Sequence, residues 1–172
     1  MPTCHAKNIY EIDLDFFKSL NIKYLFVDLD NTLDSYRSLS PNQRAISFIK
    51  GIEGLGITPL IISNNHGDRV KNYAKALNLN CLYSTRKPFS YKIKRLLKEK
   101  NITPDEVLMV GDQMITDVSA ANGAKIKVVL TDKLVKEDQW STHINRFFER
   151  PMRSYCNKHH KFKDWRECYG KN

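Results

Sequence analysis

The stretch Tyr24-Leu25-Phe26-Val27-Asp28-Leu29-Asp30-Asn31-Thr32-Leu33 runs from four continuous apolar residues into two carboxylates and a polar turn. A short apolar run rich in branched and aromatic side chains is the mark of a strand buried on both faces of a parallel sheet. In such sheets ligands sit outside the carboxyl ends of the strands, where Asp28 and Asp30 fall. A second Asp-Leu-Asp, at Asp13 to Asp15, follows no apolar run. It leads into Phe16, Phe17 and Leu20 at helical spacing, so Asp13 and Asp15 read as helix-start carboxylates favoured by the helix dipole.

Further apolar runs lie at residues 57–62, 107–110 and 126–130, with a weaker one at 81–83. Stretches of helical period separate them, which predicts an α/β fold with a doubly wound parallel sheet. Ser40-Pro41-Asn42-Gln43 and Thr103-Pro104-Asp105-Glu106 each combine a capping hydroxyl, a proline and an amide or acid three residues on, the signature of a helix start. Between Asp30 and Ser63, and again between Ser63 and Lys87, there is room for one helix and one strand. No cap domain is expected, and the site should be open, admitting a substrate too large for a lid.

The chain has 172 residues, 41% of them apolar, which suits one domain with a substantial core. The expected organisation is a core over residues 1–135 with a short N-terminal extension, then a basic helix and tail over residues 136–172 belonging to the same domain. No window has the length and apolarity of a membrane span, and the N-terminus lacks the apolar run of a secretory signal. Together with four cysteines in no paired framework, this predicts a soluble cytoplasmic protein with reduced thiols. The net charge of +9 is concentrated towards the C-terminus. That patch suits an anionic membrane surface or nucleic acid, a solvated basic face being the bland alternative.

Each predicted strand delivers polar groups to one rim: Asp28 and Asp30, then Ser63-Asn64-Asn65, then Arg86-Lys87, then Gly111-Asp112 with Asp117. An Asp at a strand tip can attack a phosphoryl group, provided cations neutralise the repulsion between the two anions. Asp30 is then placed to protonate the leaving oxygen and later to activate water. Lys87 and Ser63, with the amides following Ser63, Asn64 included, are the candidates for holding phosphoryl oxygens. Asp112 and Asp117 bring the acids near one point to four, a density that calls for a divalent cation, and oxygen-only ligands select Mg²⁺. The side chains of Asn31, Asn64, Asn65, Thr116 and Arg86 read as supporting groups.

Asp28-x-Asp30-x-Thr32, Ser63, Lys87 and Gly111-Asp112-x-x-x-x-Asp117, in this order and each at a strand end, resemble the four motifs of the haloacid dehalogenase superfamily. The resemblance implies a Rossmann-like core, Mg²⁺, Asp28 as nucleophile and Asp30 as acid and base. It also implies Asp28, Asp30 (through its carbonyl), Asp112 and Asp117 about the metal. An acid at position 30 speaks for phosphate esters, since the dehalogenases of the superfamily lack one there. Over nearly the whole chain, "AKNIYEIDLDFFKSLNIKYLFVDLDNTL", "ISNN", "RKP", "GDQMITDV" and "INRFFERP" resemble the YqeG-type branch, which includes phosphatidylglycerophosphate phosphatases. That branch implies a phosphorylated lipid headgroup as substrate and a peripheral contact with the inner face of an anionic membrane through the basic tail. Alternative readings are a capless phosphatase of phosphoproteins or nucleic-acid ends, or a basic nucleic-acid-binding or scaffold module with a vestigial site. Nucleic acid is the weaker partner because the four motifs are complete.

In the C-terminal region Trp140, Ile144, Phe147 and Phe148 share one helical face, which Pro151 is expected to end. Beyond it, Arg153, Lys158, Lys161, Lys163 and Arg166 are the expected membrane or nucleic-acid contacts. Cys156, His159, His160 and Cys168 are spaced irregularly for structural zinc, so a solvated tail is the reading.

Overall fold

The computed structural model describes residues 1–135, 149–156, 158–159 and 161–168. Six parallel strands form one sheet: β1 (Cys4–Ala6), β2 (Tyr24–Val27), β3 (Thr58–Ile62), β4 (Asn80–Leu82), β5 (Val107–Gly111) and β6 (Lys127–Thr131). Their spatial order is β1-β6-β5-β2-β3-β4. The chain winds outward from β2 through β3 and β4, then returns to lay β5 on the other side of β2. Strand order therefore reverses between β2 and β5, and the crevice opened by such a reversal is where α/β sheets bind ligands.

Side-chain alternation along β2 explains why helices cover both faces. Leu25 and Val27 point into one core with Phe16 and Phe17 of α1 (Leu14–Ser19), Phe48, Ile49 and Ile52 of α2 (Gln43–Gly54), and Val70 and Tyr73 of α3 (Asp68–Ala76). Phe26 points into the other core, with Ile93 and Leu97 of α4 (Tyr91–Glu99) and Ala120 and Ala121 of α5 (Ser119–Gly123). As expected, Asp13 and Asp15 lie exposed at the start of α1. No domain is inserted between β2 and β3 or between β3 and β5.

Four expectations need correction. Helix α2 is capped by Asn42, whose side chain accepts from the Ala45 amide, so the Ser40-Pro41 pair lies outside it. Thr103 and Glu106 do form a reciprocal capping box, yet it closes only one 3-10 turn because β5 begins at Val107. The N-terminal extension contributes a strand: β1 pairs with β6, in a register that sets Cys4 opposite Val129. Pro151 does not end a helix, since residues 149–156 are helical. The expected apolar face at Trp140, Ile144, Phe147 and Phe148 lies outside the described residues.

Where it is described, the C-terminal segment is anchored to the domain by a few buried side chains, while most of its residues stay exposed. Trp165 is buried edge-on against Phe16, ring centroids 5.6 Å apart, and the His5 amide donates to the Lys163 carbonyl at 2.8 Å. His5 also stacks on Phe162. Truncating a buried aromatic loses its transfer energy and leaves a cavity, so Trp165→Ala is expected to destabilise the fold by about 3–5 kcal/mol. Urea unfolding followed by circular dichroism measures this; a change within error would mean that the segment does not dock in solution.

Candidate active site

Three strand ends converge on one buried ammonium. Lys87 Nζ donates to Asp28 Oδ1 at 2.6 Å, to Asp117 Oδ1 at 2.6 Å and to the Ile62 carbonyl at 3.1 Å. Asp28 follows β2 directly, and its amide donates to the Val110 carbonyl of β5 at 2.9 Å. Asp117 arrives through a single π-helical turn, Met114–Val118, a distortion that recurs at functional sites. Asp112 follows β5 and accepts a long hydrogen bond from the Thr32 hydroxyl, 3.5 Å. The carboxylates of Asp28, Asp112 and Asp117 each bring an oxygen within 4.8 Å of the others, and all three residues are buried.

The electrostatics follow from three acids facing one base. Burial would lower the Lys87 pKa, but Asp117 and Asp28 outweigh it and hold the ammonium above its ordinary range. Burial pushes the Asp28 carboxyl well up; Lys87 opposes this, and Asp117, Asp112 and Asp30 add to the rise. One ammonium cannot compensate three buried carboxylates. Ionised together, the three acids and one ammonium would leave a charge of −2 on hard oxygen donors, which fits a divalent cation.

Lys87 is aimed by its backbone. Asn64 grips it at both ends: Asn64 Oδ1 accepts from the Lys87 amide at 2.7 Å, and Asn64 Nδ2 donates to the Lys87 carbonyl at 2.9 Å. Thr85 Oγ1 donates to the same Asn64 Oδ1 at 2.6 Å. Ser84 and Arg86 carry the left-handed φ values, 51° and 58°, that bend the loop into this clamp. The Asn64 carboxamide is thus committed to Lys87, and of the Ser63-Asn64 pair it is Ser63 that has a hydroxyl to offer. Ser63 Oγ accepts from the Asn65 amide at 3.1 Å, which leaves its own proton for a further acceptor.

Asp30 stands apart from the three-acid group. Asn31 adopts φ 64°, a left-handed conformation that asparagine tolerates, and the turn sends the Asp30 side chain to another set of partners. Asp30 Oδ1 is ion-paired with Arg69, and Oδ2 accepts from Asn65 Nδ2 at 2.7 Å. Arg69 also donates to the Ser38 carbonyl at 2.8 Å. Arg69 was not legible as a site residue, because one arginine at a helix start carries no local signal. A second residue missed is Asp34, a buried acid that accepts from Tyr73 Oη at 2.9 Å and Ser38 Oγ at 2.8 Å and so holds the loop after Asp30.

The C-terminal segment reaches the same rim. Arg153 donates to the carbonyls of Asp112 and of Thr131 (3.2 Å), and lies 3.1 Å from Asp132 Oδ1 and 3.7 Å from Glu149 Oε2. Buried Glu149 in turn accepts from the Ile115 amide at 2.8 Å. Arg153 therefore belongs to the wall of the site, a correction to its expected place among exposed tail cations. Among the described residues the three acids form the one cluster with metal-ligand geometry; Cys156, His159 and Cys168 form none, and His160 lies outside them. The absence of a cap has not opened the acids to solvent either: Asp28 keeps 6% of its surface and Asp112 none.

Known proteins resemble this chain in sequence and in fold. The family model described as HAD-hydrolase-like matches residues 84–146. The chain is 30% identical over 154 residues, 90% of each chain, to the probable phosphatase YqeG of Bacillus subtilis (strain 168). It is 28% identical over 151 residues to phosphatidylglycerophosphate phosphatase 1, chloroplastic/mitochondrial, of Arabidopsis thaliana, spanning 81% of this chain and 42% of that protein. A putative 3-deoxy-D-manno-octulosonate 8-phosphate phosphatase from Vibrio cholerae superposes with TM-score 0.55 at 19% identity, over 75% of this chain and 78% of that one. The corresponding enzyme of Moraxella catarrhalis, in complex with magnesium, phosphate and a KDO molecule, gives TM-score 0.51 at 14% identity, over 69% and 81%. At such identities the solved structures share the fold. The chain belongs to the haloacid dehalogenase superfamily, as one of its phosphatases, a phosphoric monoester hydrolase.

Gly111 lies against the group it supports. A Cβ at this position would sit 2.6 Å from Asp117 Oδ2, closer than real contacts allow. Gly111→Ala must displace Asp117 or the strand end, costing about 1–3 kcal/mol. Thermal unfolding measures the cost, and isothermal titration with Mg²⁺ should show weakened binding; a variant that matches the parent in both would refute the close approach.

Proposed function

We propose that this phosphatase forms an aspartyl-phosphate on Asp28 and removes the terminal phosphate of phosphatidylglycerophosphate at an anionic membrane surface, at its inner face. The observation that carries the reading is the Lys87 ammonium bridging Asp28 and Asp117 within a group of three buried acids. Asp28, Asp112 and Asp117, with the carbonyl of Asp30, would hold Mg²⁺. When bound, the cation would supply the charge that lets two anions meet.

The chain's own residues account for the rest. Lys87 holds the Asp28 carboxylate in a fixed direction and adds positive charge beside the phosphoryl oxygens. An Asp28 oxygen forms the bond to phosphorus as the ester P–O bond breaks, and Asp30, released from its pairing with Arg69 and protonated from solvent, gives that proton to the departing oxygen. A water then attacks the aspartyl-phosphate, with Asp30 taking the water's proton, and inorganic phosphate leaves with Asp28 restored. The Ser63 hydroxyl donates to a phosphoryl oxygen in both steps.

The lipid substrate is supported by the Arabidopsis relative, whose name states that activity, although the match spans 42% of it. Basic side chains of the C-terminal segment, including Arg150, Lys158, Lys161 and Lys163, would attract an anionic bilayer by about 1 kcal/mol each near its surface. Among the described residues no helix is long and apolar enough to cross a membrane, so the contact proposed is peripheral.

Asp28→Asn keeps the volume and removes the nucleophile, so turnover of p-nitrophenyl phosphate should fall to background while the melting temperature stays near that of the parent. Protein quenched in acid during turnover of radiolabelled substrate should carry label in the wild type and none in the variant. Retention of label by Asp28→Asn would end the covalent reading. Excess chelator should silence the wild type and added Mg²⁺ should restore it. For the substrate, phosphatidylglycerophosphate in detergent micelles should yield phosphatidylglycerol and phosphate; no release, with p-nitrophenyl phosphate still cleaved, would refute the lipid assignment alone.

A further inference from the structure

The described surface distributes its large exposed apolar side chains unevenly. Six of them, Leu39, Tyr83, Phe89, Tyr91, Met152 and Tyr155, lie on the rim at the carboxyl ends of the strands or on the helical segment that closes it. Leu39 and Phe89 are the most exposed of all, at 76% and 67%. Both belong to loops that hold residues of the site. Leu39 follows Ser38, whose carbonyl accepts from the arginine paired with Asp30. Phe89 lies two residues beyond Lys87, in a turn closed by its amide donating to the Arg86 carbonyl at 3.0 Å. Met152 and Tyr155 flank Arg153, which ties their segment to the Asp112 and Thr131 carbonyls.

Among the described residues, charge on the same rim has one dominant sign. Arg37, Arg86 and Arg150 are exposed, while Asp34, Asp112, Asp117 and Glu149 are buried. Asp132 is engaged by His5 and Arg153, and exposed Asp68 lies 3.8 Å from Lys71. Exposed leucine and phenylalanine interleaved with arginines, with most acids buried and exposed Asp68 and half-buried Asp132 each beside a cation, is the chemistry of a surface that enters an anionic bilayer interface. A second copy of this chain would present the same positive rim to itself.

We propose that this rim is a membrane-docking face: Leu39 and Phe89, backed by Met152 and Tyr155, enter the boundary between headgroups and acyl chains of an anionic bilayer and hold the Asp28 site over its headgroups. The proposal rests on the lipid reading above and adds that the loops of the site themselves make the contact, beside the basic tail.

The test uses the full chain and the double variant Leu39→Ser/Phe89→Ser, neither residue having a role in the reaction. Flotation is measured with vesicles of phosphatidylcholine and phosphatidylglycerol in equal parts, and turnover with p-nitrophenyl phosphate. The wild type should float, less so in high salt. The variant should partition at least about tenfold less while cleaving the soluble ester at the parent rate, as expected when two inserted apolar side chains are lost. Met152→Ser/Tyr155→Ser should reduce flotation in the same direction. Wild-type protein that does not float, or a Leu39→Ser/Phe89→Ser variant that floats as well as the parent, overturns the docking face. So does a wild type that sediments as a dimer split by these substitutions, since the rim would then belong to a second copy. Micellar turnover separates the two failures: equal flotation with phosphatidylglycerophosphate still hydrolysed sinks the docking face and leaves the lipid substrate standing.

Discussion

The Lys87 ammonium, enclosed between the carboxylates of Asp28 and Asp117, is the constraint to which the rest of the site is fitted. Its side chain and those of both acids are almost wholly buried, so none of the three can borrow hydration from solvent. Buried ions cost several kcal/mol each unless their partners are held in good geometry, and here the partners arrive from three separate strand ends. Strands β2 and β5 bring the acids, while the loop after β4 brings the lysine across β3, where the Ile62 carbonyl takes a third hydrogen bond. The topological reversal between β2 and β5 is thus more than a place where a ligand fits. It sets two carboxylates side by side and obliges the fold to supply a cation between them.

Fixing that cation explains features that look incidental one by one. Left-handed Ser84 and Arg86, the double grip of Asn64 on the Lys87 backbone, and the Thr85 hydroxyl that braces Asn64 all serve to aim one side chain. On the opposite wall, the π-helical turn and Gly111 let Asp117 approach β5 more closely than any side chain at position 111 would permit. Left-handed Asn31, Ser84 and Arg86 and a π-helical turn cost stability, and the site holds all four; the other left-handed non-glycine residues, Asn21, Asn78, Asn101 and Lys125, follow helix ends. Asp30 is excluded from the cluster by the turn at Asn31 and given to Arg69 and Asn65 instead. Two carboxylates separated by a single leucine thereby acquire different surroundings, the condition for giving them different tasks.

Much of this was legible in the sequence, and the boundary is physical. Strands β2, β3, β5 and β6 announced themselves because a strand buried on both faces must be apolar throughout, and the polar residues ending them were then site candidates by position. Strand β1 gave no such signal: Cys4-His5-Ala6 is short, lies at the sheet edge and contains a polar residue. Ser63 and Lys87 could be picked by their places after strands, but the Asn64 clamp could not, since which way a carboxamide faces depends on a loop conformation set by residues 21 and 23 positions away. Arg69 and Arg153 were hidden for the same reason. An arginine that pairs across the fold looks identical, in sequence, to one that pairs with water. Charge counting placed Arg153 in a solvated tail; the structure spends its guanidinium on two strand-end carbonyls and Asp132.

The site lacks a cap yet its acids are buried, a combination that bears on how it would meet a substrate. Phosphoryl transfer gains from exclusion of water, which many enzymes obtain with a lid. Here the floor of the site is closed by the packing of Asp28, Lys87 and Asp117 upon one another, and the rim above carries exposed Leu39 and Phe89. Under the proposed function, water would be displaced from that rim by the bilayer as the headgroup enters, so the substrate's own membrane would do the work of a lid. A small soluble ester brings no such surface with it and would be turned over with the rim wet. The preference for a lipid would then arise less from contacts with the headgroup than from the environment the headgroup carries, and the binding energy of remote acyl chains would be expressed at the reacting centre.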